Sequence, residues 1–86
     1  SWKIRRLRPG DEAVARELFA MMAAVFDEDA SGEVLEFDYV TDLLARPDFY
    51  AVAALEGTTA IGGISAHVLP MTRKSESELF IYDLAV

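Results

Sequence analysis

The sequence predicts a mixed α/β fold of the α+β kind, a strand and two helices followed by a three-stranded antiparallel meander. Three observations carry this reading. Apolar residues recur at helical spacing from Val14 through Leu18, Met21 and Met22 to Val25. Three apolar, β-prone runs fill Phe49–Leu55, Ala60–Leu69 and Leu79–Val86. The links between those runs are too short for a crossover helix, so consecutive runs are expected to pair antiparallel.

The first strand is Trp2 to Leu7, where Trp2, Ile4 and Arg6 alternate with Lys3, Arg5 and Leu7 before Pro9-Gly10 closes the run. Asp11 then stands at an N-cap position, Glu12 adds negative charge to the first turn, and the helix runs to about Phe26. Met21, Met22, Phe19 and Phe26 read as core. Asp38 is placed to cap a shorter helix carrying Tyr39, Val40, Leu43 and Leu44, which Arg46-Pro47 ends. Glu56-Gly57-Thr58-Thr59 is a hairpin-type link, and Gly62-Gly63 inside the following strand marks a bulge or a close backbone approach. The last run, Glu78-Leu79-Phe80-Ile81-Tyr82-Asp83-Leu84-Ala85-Val86, is apolar at nearly every position, which predicts burial on both faces. Its simple alternation places Asp83 with Leu79, Ile81 and Ala85, opposite Phe80, Tyr82, Leu84 and Val86.

With 86 residues, 52% of them hydrophobic, the chain has globular composition and the length of one domain at most. It contains no cysteine, which excludes disulfides, thiolate metal sites and thiol nucleophiles. A net charge of −7 argues against nucleic-acid partners, whose phosphates need Lys and Arg, and favours a cationic ligand. The basic N-terminal stretch lacks the apolar core of a signal peptide, and no apolar run reaches membrane-spanning length. A cytoplasmic protein with no membrane partner is expected.

Residues 27–38 form an acidic connection with oxygen-bearing Asp27, Asp29 and Ser31 at loop positions one, three and five, Gly32 at six and Asp38 at twelve. This spacing approaches the calcium loop of an EF-hand. Leu35 at position nine and the short Asp38 carboxylate depart from it. A calcium-binding module and a solvated helix-to-helix loop both stay open, and the departures favour the second, with no metal expected.

The segment His67-Val68-Leu69-Pro70, a polar loop, and then Ile81-Tyr82-Asp83-Leu84-Ala85-Val86 resembles the third and fourth strands of the Gcn5-related N-acetyltransferase family. It is most similar to aminoglycoside 3-N-acetyltransferases. Phe49–Leu55 and Leu7-Arg8-Pro9-Gly10-Asp11 take part in the resemblance, although the last strand alone is specific. The resemblance implies that residues 1–86 are the N-terminal part of a single acetyltransferase domain, with the pyrophosphate loop and the C-terminal half lying beyond Val86. It implies acetyl-CoA as co-substrate, held by the strand backbone at Leu84, Ala85 and Val86, and Asp83 as the catalytic carboxylate that accepts a proton from the amine. A small polycationic substrate, an aminoglycoside, would meet Tyr82 and the acidic Asp27, Glu28 and Asp29, with Glu76 and Glu78 adding to the negative field. His67, the only imidazole, reads as a packed residue more readily than as a base. The fragment alone is expected to be inactive and, with its apolar last strand open, to form a homodimer; the alternative to an enzyme, beside the calcium-binding module, is a non-catalytic half-domain whose role is self-association.

Overall fold

The computed structural model describes residues 1–26 and 35–86. The element order is β1 (Trp2–Arg6), α1 (Glu12–Phe26), α2 (Phe37–Ala45), β2 (Phe49–Glu56), β3 (Thr59–Pro70) and β4 (Ser77–Ala85). The strands form one antiparallel sheet in the order β1-β2-β3-β4. The predicted meander is therefore present, and β1 extends it by pairing along β2, with Trp2 opposite Glu56 and Arg6 opposite Val52. Among the described residues no helix is long and apolar enough to cross a membrane.

Both helices pack on one face of the sheet. That face is paved with Phe49, Ala51, Ala53 and Leu55 of β2, which alternate with more exposed residues as a half-covered strand requires. Ala15, Leu18 and Met22 of α1 and Val40 and Leu44 of α2 complete the core. Gly63 shows why the floor is made of small residues. A Cβ there would sit 2.8 and 2.9 Å from the two Leu18 methyls and would collide with the carbonyl oxygen of Val52. The close approach expected at Gly62-Gly63 is thus real. A bulge lies beside it, because Ala54 pairs with Gly62 and Leu55 with Ala60, leaving Ile61 without a partner. At the β2–β3 hairpin Gly57 adopts φ 62°, a left-handed conformation that suits glycine.

The start of α1 is fixed by two neighbouring carboxylates. The Asp11 carbonyl accepts the Ala15 amide at 2.9 Å, as an N-cap should, while the Asp11 carboxylate reaches back to the Arg5 guanidinium at 2.7 Å and the Arg8 amide at 2.8 Å. Burial pushes the Asp11 carboxyl up, but the Arg5 and Arg8 bonds and the Arg5 charge outweigh it and hold it below the ordinary range. Glu12, buried at 5% exposure, accepts the Gly10 amide at 2.9 Å and the Thr41 hydroxyl at 2.8 Å, tying α1 to α2. The Gly10 amide first, then its own amide and the Thr41 hydroxyl, hold its carboxyl below the ordinary value.

Three expectations are corrected. Asp38 does not cap α2: the helix begins at Phe37 with Glu36 as its N-cap, and Asp38 lies in the first turn, where its charge still complements the helix dipole. β4 is not buried on both faces, since Leu79, Phe80, Ile81, Tyr82 and Leu84 are all more than half exposed. It is the edge strand, and only Ala85 is buried in it. Nor does β4 alternate simply. Ser65 pairs with Asp83 and Ala66 with Ile81, so Tyr82 is an extra residue and the phase of the strand changes there. Residues paired across a sheet share a face. Phe80, opposite His67, therefore joins Asp83 and Ala85 on the helix-covered side, while Leu79 and Ile81 lie on the other.

Candidate functional site

A cavity of about 400 Å³ opens between the C-terminal half of α1, α2 and the sheet. Phe19 and Met22 enter it from α1, and Tyr39 and Leu43 from α2. Phe49, the first residue of β2, is placed there by β1: the Arg6 guanidinium donates to the Phe49 carbonyl at 2.9 Å and lies 3.7 Å over the Tyr50 ring. From β3 and β4 come Ser65, His67, Tyr82 and Asp83. The wall is thus mainly aromatic and aliphatic, and Asp83 is its one carboxylate among the described residues.

The β4 bulge assembles this corner. Asp83, half-buried, faces Ser65 directly across the ladder, and the buried Ser65 hydroxyl donates to Asp83 Oδ2 at 3.4 Å. Tyr82 reaches the same cavity, and its ring meets His67 edge-on at 5.8 Å. Simple alternation would have sent Tyr82 and Asp83 to opposite faces. The site can receive an ammonium group at Asp83, with ring surfaces around the carbon skeleton that carries it.

The other expected site residues are distributed differently. Leu84, Ala85 and Val86 do not line the cavity: Leu84 is exposed, Ala85 is buried opposite Gly63, and Val86 is fully exposed just past the strand. Among the described residues their strand has no neighbour on its outer edge, so backbone groups there can bond another extended group. Asp27, Glu28 and Asp29, and most of the calcium-like loop, lie outside the described residues. Among the described residues no cluster of three acidic or imidazole side chains could hold a metal ion. Glu78 lines a separate cleft with Leu69 and Arg73 near the β3–β4 loop, apart from Asp83. Ser65 and Phe49 were not foreseen; the signal for them is cross-strand register, which appears only when β2, β3 and β4 are paired.

No protein-family model and no curated protein matches the sequence. Solved structures do. The chain is similar to an aminoglycoside acetyltransferase from an uncultured soil metagenomic sample, with 34% identity and a TM-score of 0.87 over 100% of this chain and 58% of that one. It is also similar to a second aminoglycoside acetyltransferase from such a sample, crystallised with sisomicin, with 30% identity and a TM-score of 0.87 over 99% of this chain and 55% of that one. The fold is a partial Gcn5-related N-acetyltransferase fold. A ribosomal-protein-alanine N-acetyltransferase from Brucella melitensis biovar Abortus 2308, 19% identical with a TM-score of 0.72, shares the acetyltransferase fold over 100% of this chain and 56% of its own. The chain thus spans a little over half the length of the acetyltransferases it matches. The strands and helices that build the Asp83 cavity fall within the matched acetyltransferase fold, because the match covers the chain from end to end.

Proposed function

We propose that residues 1–86 form the N-terminal, amine-binding part of a single acetyl-CoA-dependent N-acetyltransferase domain that acts on an amino group of an aminoglycoside, of the 3-N type. Catalysis is assigned to the full-length protein rather than to this segment alone. The observation that carries the reading is Asp83, the one carboxylate among the described residues that line an aromatic-walled cavity, in a chain similar to aminoglycoside acetyltransferases.

Asp83 is the catalytic residue in this proposal. An amine arrives as an ammonium ion and becomes a nucleophile only when it loses a proton, and the Asp83 carboxylate is assigned to take that proton. Ser65 orients the carboxylate, and Tyr82 bounds the space beside it. Acetyl-CoA, when bound, would supply the acetyl group as a thioester, whose C–S bond breaks as the amide C–N bond forms, with CoA leaving as the thiol. The outer edge of β4, unpaired among the described residues, suits this co-substrate: backbone N–H and C=O groups at Leu84, Ala85 and Val86 can hydrogen-bond an extended amide-containing arm as they would another strand. Asp27, Glu28 and Asp29 are proposed to add negative charge for a polycationic substrate.

The test is Asp83→Asn in the full-length protein. Turnover at neutral pH should fall by about 10²-fold or more, while acetyl-CoA affinity measured by calorimetry stays unchanged. Undiminished turnover would assign Asp83 to structure.

The exposed apolar residues of β4 support a second proposal, that the chain self-associates as a homodimer through this strand.

A further inference from the structure

Tyr82 is poorly restrained by everything except one neighbour. The residue is 66% exposed, and as the extra residue of the β4 bulge it has no partner on β3. Neither burial nor the ladder fixes where the side chain lies. Yet it stands on the cavity wall beside Asp83. Its aromatic contact is with His67, at 5.8 Å with the planes at 89°, and among the described residues it has no other.

His67 is held from behind. It is half-buried and sits 5.1 Å from Phe49, which is 4% exposed and meets Phe19 of α1 edge-on at 6.3 Å. Four rings, Phe19, Phe49, His67 and Tyr82, therefore run in sequence from the core to the open side of the cavity. Each fixes the next, and edge-to-face geometry favours a defined angle at both ends of the chain. The His67 ring nitrogens make no hydrogen bond among the described residues. An imidazole that carries protons is normally oriented by such a bond at one nitrogen; here ring packing does the orienting.

We infer that His67 is a positioning residue, an aromatic surface that holds the Tyr82 ring against the cavity so that an amine-bearing sugar ring is received between Tyr82 and Asp83. It carries no proton in the reaction. The inference rests on the cavity being the amine site.

The test compares His67→Phe, His67→Ala and His67→Asn in the full-length protein, with acetyl-CoA and sisomicin as substrates. His67→Phe keeps the ring and abolishes titration; its KM for sisomicin should stay within about twofold of the parent, and the pH profile of kcat/KM should superimpose on the parent profile. His67→Ala and His67→Asn remove the ring; KM for sisomicin should rise about tenfold, with kcat changed less. Nuclear magnetic resonance gives a readout independent of catalysis: the Tyr82 ring signals should move toward those of free tyrosine in the Ala and Asn variants and remain displaced in His67→Phe. If His67→Phe is as impaired as His67→Ala, or shifts the pH profile, the positioning role is overturned. A parent protein that fails to acetylate sisomicin would refute the amine reading instead, while the Tyr82 signals would still decide whether His67 holds the ring.

Discussion

Ser65 and Asp83 stand directly opposite one another on β3 and β4, and the Ser65 hydroxyl donates to Asp83 Oδ2 at 3.4 Å. Ser65 is 4% exposed, so its hydroxyl needs a partner, and the carboxylate gains a donor from directly across the ladder. Ser65→Ala should lower turnover of the full-length protein about three- to tenfold by loosening Asp83, a loss of order 1 kcal/mol, without changing the circular dichroism spectrum. Unaltered kinetics would show that the carboxylate is positioned without Ser65.

Glu12 makes stability depend on acid pH. Its folded carboxyl lies below the ordinary value because the Gly10 amide and the Thr41 hydroxyl favour the charged form, so its contribution is complete above the unfolded value and is lost as pH falls through the folded one. Asp11 acts in the same direction. Glu12→Gln should therefore lower the melting temperature at neutral pH and have a smaller effect at acid pH, where the parent is protonated as well. Thermal melts of both proteins across that range provide the measurement, and a constant difference at every pH would contradict it.

Gly63→Ala should destabilise the fold by about 1–3 kcal/mol or more, since the added methyl meets the Val52 carbonyl as well as the Leu18 side chain. Leu18→Ala is destabilising in its own right, but Gly63→Ala should cost less in that background than in the parent and still cost stability, because the backbone oxygen cannot move as a side chain can. Urea unfolding of the parent, the two single variants and the double variant would reveal it, and a Gly63→Ala cost that vanishes in the Leu18→Ala background would show that the backbone contact is harmless.

Self-association of the 86-residue chain is expected to run through β4. Leu79, Ile81 and Leu84 are each more than half exposed along an edge strand. Light scattering at micromolar concentration should report a dimer or larger species, and Ile81→Lys should shift it toward monomer. A parent chain that stays monomeric under those conditions would remove the proposal.

The six elements were legible because each has a local cause: helical spacing from Val14 to Val25, the Gly57 turn, and Arg46-Pro47 before β2. Asp83 was legible through its resemblance to a family strand. The bulge at Tyr82 was not. A run such as Leu79-Phe80-Ile81-Tyr82 has no glycine or polar break to show where its phase changes, and the shift is seen only in its pairing with β3. The same holds for the ring contacts of His67, which depend on its register with Phe49 and Phe80. Apolarity also misled about β4, because it records what a surface prefers and not which neighbours cover it.

The bulge gives β4 one residue of spare length. Ile81 and Asp83 already pair with adjacent residues of β3, so removing Tyr82 would close the gap and leave a regular ladder with both halves of the strand still facing as they do now. A deletion elsewhere in β4 would turn part of the strand over unless this slack absorbed it. The sheet does not need Tyr82 in order to form. The cavity does, since without it the aromatic wall beside Asp83 ends at His67. Shortening the strand at that one position should therefore separate what the chain needs to fold from what it needs to hold a ligand.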